Sequence, residues 1–220
     1  FRSGGGLPPF RLPRPAPRTT FAVMRRLLPL LLLALVGFLA ALPAAAHAQA
    51  KREYAILASG CFWCTEADLE GVPGVLDVVS GYTGGREPNP TYEDVVGHRT
   101  GHREAVRVVY DPARITYDQL LRRFWPTLDP TDAEGQFCDR GRNYAAAIFV
   151  RNRAQRRAAA LTKAEVERRL GRKVVTDILP ETPFWPAEAY HQDYAEKNPL
   201  RYKTYRQGCG RDRTLRAVWG

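Results

Sequence analysis

Residues 54–64 read YAILASGCFWC. Tyr54 to Ala58 is a short apolar run, and Ser59-Gly60 ends it, so the segment predicts a buried strand entering a turn. Cys61 to Glu70 then predicts a helix that begins at that turn. A thiol in this position faces backbone N–H groups and the positive end of the helix dipole, both of which favour the thiolate. Cys64 lies one helical turn further on, within disulfide reach.

Working outward, Val75 to Ser80 is β-rich and is interrupted by Gly81-Tyr-Thr-Gly-Gly85. Glu104 to Tyr110 alternates as a half-buried strand and stops at Asp111-Pro112. Thr116 and Gln119 form a capping-box pattern ahead of Leu120, Leu121, Phe124 and Trp125, which share helical spacing. Ala145 to Val150 predicts a strand, Arg153 to Leu170 an amphipathic helix ended by Gly171, and Val174 to Leu179 a strand ended by Pro180. The order β-α-β-β-α-β-α-β points to one α+β domain: a ferredoxin-like split βαβ core, with helices packed on a mixed β-sheet. Two long loops, 86–103 and 126–143, and an irregular C-terminal tail with one short helix near Ala187 to Glu196 complete the expectation. Loops of that length in a compact domain are usually functional or disordered, and their aromatic and acidic residues favour function.

The chain has 220 residues and a formal net charge of +10. Six arginines and no acid fall in residues 1–48, which leaves 27 bases and 23 acids beyond them, a net of +4. That modest charge carries no basic stripe with interleaved aromatics, so a nucleic-acid partner is not expected. From the only methionine, Met24, the chain reads MRRLLPLLLLALVGFLAALPAAAHAQA. A positive start, an apolar run and a small-x-small site at Ala46-His47-Ala48 predict a secretory signal peptide over 24–48, with no stable membrane span after cleavage. Residues 1–23 are read as a non-native or disordered upstream extension. The catalytic domain is then 49–220, exported and periplasmic, with four cysteines in an oxidising compartment.

Read one by one, the reactive candidates leave alternatives open. Cys61 and Cys64 could instead form a structural disulfide, and a single C-x-x-C with no matching histidine spacing argues against metal. Cys138 alone reads as a loop thiol. Cys209, between Gly208 and Gly210, sits where a sulfur can travel to another sulfur. Glu104 at the mouth of an apolar strand can have its pKa raised by desolvation and act as an acid, or be a solvated strand end. A thioredoxin-like disulfide oxidoreductase and a disulfide-stapled binding domain remain rival readings.

Taken together, Gly60-Cys-Phe-Trp63, Gly81-Tyr-Thr-Gly-Gly85, Pro88-Asn-Pro-Thr-Tyr92, Gly101-His-Arg-Glu-Ala-Val106, Val109-Tyr-Asp-Pro112, Asp139-Arg-Gly-Arg-Asn-Tyr144, His191-Gln-Asp-Tyr194 and Gly208-Cys-Gly-Arg-Asp212 resemble the A type of peptide methionine sulfoxide reductase. The match runs from about Tyr54 to the C-terminus. The resemblance implies reduction of methionine-S-sulfoxide, in proteins and free, with Cys61 as nucleophile and Glu104 as proton donor. It implies that Tyr92 and Tyr144 bind the sulfoxide oxygen, that Asp139 orders the site, and that Phe62 and Trp63 wall the methyl group. It also implies sulfenic acid chemistry regenerated by an external thioredoxin-like dithiol, with no cofactor and no metal. Many members of the family have Gly where Cys64 stands. Cys209 is therefore expected to resolve first and Cys64 second, with Cys64 acting later in a relay or pairing with Cys138 as the alternatives. Oxidised proteins or peptides and the dithiol are the expected partners of a monomer.

Overall fold

The computed structural model describes residues 51–220. The predicted leader and upstream extension lie outside the described residues. Five strands and two helices build the frame: β1 (Glu53–Ala58), α1 (Phe62–Glu70), β2 (Val75–Thr83), β3 (Arg103–Tyr110), α3 (Tyr117–Phe124), β6 (Ala147–Val150) and β7 (Asp177–Pro180). A short helix α2 (Tyr92–Val96), a two-residue hairpin β4 (Gly135–Gln136) and β5 (Asp139–Arg140), helix α4 (Arg153–Leu170) and edge strand β8 (Trp185–Pro186) fill the connections.

The sheet order is β7-β6-β1-β3-β2-β8. β3 is antiparallel to both β1 and β2, so β1-α1-β2 is a parallel crossover split by β3, and β6 pairs antiparallel with the outer side of β1. Among the described strands, only β6 and β7 pair in parallel. This is the split βαβ arrangement expected, on a mixed sheet.

Strand alternation divides the apolar residues between two faces. Ala55, Leu57, Val106 and Val108 join Leu69 of α1, Leu120, Leu121 and Phe124 of α3, and Val166 of α4 in the main core. Ile56, Ala58, Ala105, Ala147 and Phe149 form a smaller cluster on the opposite face, with Tyr54, Leu179 and Phe184 against it. The same alternation sends Glu104 to the helix-bearing face with Val106, so a carboxylate joins an apolar layer.

The Thr116 capping box forms as predicted: the side chain accepts from the Gln119 amide, and Gln119 reaches back to the Thr116 amide. Helix α4 keeps its predicted bounds and ends at left-handed Gly171.

Three expectations are corrected. β2 does not break at Gly81 but continues to Thr83, because Gly81 and Tyr82 pair with Pro186 and Trp185 of β8. The long loops are partly structured, as α2 and the β4-β5 hairpin. The tail is helical rather than irregular: α5 (Tyr194–Lys197), α6 (Pro199–Gly208) and α7 (Arg211–Trp219). α6 buries no residue fully, so its apolar periodicity is weak, and Pro199, Gly208 and Gly210 read as breakers when they mark helix ends. Among the described residues, no helix is long and apolar enough to cross a membrane.

Candidate active site

Cys61 is the residue before the first turn of α1, and it is 6% exposed. Gly60 makes that turn possible. Its φ is +84°, and a Cβ there would lie 2.6 Å from the Cβ of Gln136. Gln136 cannot retreat, since its amide is bonded to both the N–H and the carbonyl of Asp129. The 126–143 segment is thereby docked against the turn that carries the thiol.

Glu104 reaches the same turn from β3. Its Oε2 accepts the Phe62 amide at 2.9 Å, and the side chain is 2% exposed. Burial pushes its carboxyl up to about 8, against the lowering effect of that amide. The protonated form is therefore favoured at neutral pH. The sequence-based alternative of a solvated strand end is excluded by this burial.

The Cys61 thiol departs from expectation. It makes no cap hydrogen bond, and its pKa is raised, first by burial and then by Cys64 and the neighbouring Glu104. Desolvation is the largest of these effects, and the contact with the Tyr205 hydroxyl works against it. Cys64, 1% exposed, is pulled down by its contact with Cys61 against its own burial, with Arg211 and Arg206 adding attraction. Both cysteines are free thiols, so the structural disulfide between them is not formed.

The other expected residues converge. Tyr92 opens α2, whose Thr91 capping box sets the chain direction. Glu188 accepts the Tyr92 amide at 2.9 Å and the Tyr82 hydroxyl at 2.8 Å, tying α2 to β2. Burial pushes the Tyr92 phenol up to about 12, with the charges of Glu104 and Cys61 adding to the rise. Tyr144 ends a short 3-10 turn and is shifted in the same direction by burial, Glu104 and Tyr92. Two phenols that hold their protons this firmly serve as hydrogen-bond donors. Asp139 accepts the Tyr205 hydroxyl at 2.5 Å through Oδ2.

Phe62 packs against His191 and Tyr82, with ring centroids at 4.9 and 5.8 Å. Trp63 stacks flat on Tyr194 at 3.7 Å and donates its indole N–H to His191 Nδ1 at 3.0 Å. His191 is buried and its pKa is lowered by that burial, so it stays neutral and can accept. These contacts fix the indole plane.

Sequence reasoning assigned no role to His191, Tyr194 or Tyr205. His191 and Tyr194 lie in a motif already noticed. Tyr205 is one helical turn before Cys209 and faces both Asp139 and Cys61. The cysteine pairing was also unexpected: Cys209 is bonded to Cys138, 71 residues away, not left as a free thiol beside Cys61. Neither is Cys64 paired with Cys138. A groove of about 800 Å³ near Tyr54, Arg107 and Phe184 lies over the smaller cluster and contains none of these residues.

Residues 53–220 match the family model described as peptide methionine sulfoxide reductase. The chain belongs to this family. It is 53% identical over 198 residues to peptide methionine sulfoxide reductase MsrA 2 of Caulobacter vibrioides, covering 90% of this chain and all of that protein. It is 49% identical over 176 residues to the MsrA of Bacillus licheniformis, covering 77% and 95%. Among solved structures it is similar to reduced Mxr1 of Saccharomyces cerevisiae, with a TM-score of 0.65, 33% identity and coverage of 71% and 91%. Methionine sulfoxide reductase A of Corynebacterium diphtheriae gives a TM-score of 0.64 at 32% identity, covering 73% and 81%. The protein is thus an oxidoreductase that reduces methionine sulfoxide, and the rival readings as a disulfide oxidoreductase or a binding domain fall away.

Proposed function

We propose that the chain reduces the S epimer of methionine sulfoxide, in proteins and as the free amino acid, through Cys61 as nucleophile and Glu104 as proton donor. The observation that carries this reading is a buried carboxyl bonded to the amide next to the thiol, in a place that favours its protonated form. A sulfoxide oxygen leaves poorly unless protonated, so donors aimed at it stabilise the transition state. Glu104 supplies the proton, Tyr92 and Tyr144 hydrogen-bond the oxygen, and Asp139 orders the site through Tyr205. Phe62 and the fixed Trp63 indole wall the methyl group, which lets the pocket select an epimer by shape.

Attack of the Cys61 thiolate on the sulfur yields methionine and Cys61 sulfenic acid, and a second thiol then condenses to a disulfide. Cys209 is that thiol in this proposal, with Cys64 as the second choice. An external thioredoxin-like dithiol supplies the electrons by exchange. The reading of residues 24–48 as a leader places this chemistry in the periplasm, where an exported dithiol protein would serve.

Mass-spectrometric assay of a peptide carrying both sulfoxide epimers, with dithiothreitol as reductant, tests the function. Loss of the S epimer alone is expected, and conversion of neither would sink the proposal. Cys209→Ser should still reduce about one sulfoxide per enzyme but lose thioredoxin-driven turnover. Full turnover by that variant would remove Cys209 from the pathway.

A further inference from the structure

The residues proposed to hold the sulfoxide come from separate parts of the chain. Phe62 and Trp63 open α1, Tyr92 opens α2, and His191 closes the short turn Ala189–His191. Selection of an epimer by shape requires the oxygen donor and the methyl wall to keep a fixed spacing. One further side chain, Glu188, reaches both groups.

Glu188 stands on a fastened base. The Ala187 amide donates to the Ser80 carbonyl at 2.9 Å, and the Gln192 amide group donates to the carbonyls of both Ser80 and Ala187. The segment is thereby stapled to β2. From this base the two carboxylate oxygens divide their partners. Oε1 accepts the Tyr92 amide at 2.9 Å, and Oε2 accepts the Tyr82 hydroxyl at 2.8 Å. Tyr82 is fully buried, and its ring packs against Phe62 with centroids 5.8 Å apart. The Glu188 carbonyl also accepts the His191 amide at 2.9 Å.

A third side chain faces the carboxylate. His191 Nδ1 accepts the Trp63 indole N–H, so the single proton of the neutral ring sits on Nε2. That nitrogen is buried, has no hydrogen-bond partner among the described residues, and lies 3.9 Å from Glu188 Oε2. A negative charge there favours the proton on Nε2 and leaves Nδ1 open to Trp63. The His191 ring in turn lies 4.6 Å from the Tyr92 ring and 4.9 Å from the Phe62 ring. Burial raises the Glu188 carboxyl, but the bonds from its own amide, the Tyr92 amide and the Tyr82 hydroxyl outweigh burial and hold it below its ordinary value. It is therefore ionised at neutral pH and acts only as an acceptor.

We infer that Glu188 is a positioning residue for sulfoxide reduction: one carboxylate keeps Tyr92, Tyr82 and His191 in register, so that the oxygen donor and the Phe62–Trp63 wall hold their spacing. It acts through these residues rather than on the sulfoxide, and the inference rests on the roles proposed for Tyr92, Phe62 and Trp63.

The two substitutions at this position separate its contacts. In Glu188→Gln the amide oxygen can still accept from Tyr92. The NH2 group then takes the place of Oε2, where Tyr82 can rotate its hydroxyl to accept, but the Nε2–H of His191 meets a donor instead of a charge. The methyl wall is loosened and the oxygen donor is kept. Glu188→Ala releases both.

Steady-state reduction of a peptide carrying the S sulfoxide, driven by dithiothreitol, tests this. In Glu188→Gln, KM should rise at least about fivefold with kcat within about twofold of the unaltered enzyme. In Glu188→Ala, kcat should also fall at least about tenfold. The Trp63 indole N–H resonance, assigned by its loss in Trp63→Phe, should shift in both variants. Alkylation of Cys61 by iodoacetamide should keep its rate, since the nucleophile does not depend on this carboxylate. Kinetic constants within about twofold of the unaltered enzyme in both variants would overturn the assignment. So would an unmoved indole signal, or a loss of activity that only tracks the unfolded fraction seen by circular dichroism. Failure of the unaltered enzyme to reduce either epimer would instead sink the proposed function, and it is read from a separate sample.

Discussion

Cys61→Ser should lose sulfoxide reduction by at least about 10⁴-fold, with the fold intact. Serine fits the volume of the buried thiol, and the turn is held by Gly60 and Gln136 rather than by the sulfur. What is lost is a soft nucleophile able to attack sulfur and to carry oxygen as a sulfenic acid. An alkoxide is out of reach in a site that already disfavours the thiolate by burial. Single-turnover assay without reductant should give no methionine, and circular dichroism should be unchanged. Methionine released at the wild-type rate would reject Cys61 as the nucleophile.

Glu104→Gln is the second large effect. Glutamine preserves the shape and can still bond near the Phe62 amide, but it has no proton to transfer. The expected loss in kcat is about 10²- to 10⁴-fold. The pH dependence gives the sharper test. The active form needs Cys61 deprotonated and Glu104 protonated together. Burial holds the Glu104 carboxyl at about 8 and lifts the Cys61 thiol well above its ordinary value. In the free enzyme that form is a minority species. Its population rises with pH up to about 8, levels off, and falls once Cys61 has titrated, with apparent values that belong to the pair. In the variant, kcat/KM should rise with pH without a falling limb, because no acid remains to be deprotonated. A falling limb that survives the substitution would assign the proton to another group, with Tyr92 and Tyr144 next in line.

The parts of the fold that were legible from sequence are those where a local signal and the tertiary demand agree. Tyr54 to Ala58 is apolar because both faces of β1 are covered. Thr116 and Gln119 cap α3 as their spacing predicts, and Arg153 to Leu170 runs from one cap to the other. Glu104 was legible as a candidate because an acid interrupts an apolar strand. What stayed hidden depends on partners distant in the chain. Gly81 looks like a breaker until β8, a hundred residues later, pairs with it. The tail helices present little apolar surface and are punctuated by residues that resemble loop signals. The Cys138–Cys209 bond joins positions that share no local pattern. The dipole argument for a thiolate at Cys61 was locally sound, yet it could not weigh the burial that β3 and the docked 126–143 segment impose.

The Phe62 amide has a further consequence. When Glu104 gives up its proton, a negative charge appears in a place sealed from water, where it would ordinarily be costly. The first free N–H of α1 already points at that oxygen at 2.9 Å. The helix start therefore receives the conjugate base of the acid as it forms, so product ionisation needs little rearrangement. Because the thiol and this amide belong to consecutive residues, the place where sulfur is attacked and the place where charge is absorbed are separated by a single peptide unit. One extra residue between them would leave each group chemically competent and the reaction uncoupled.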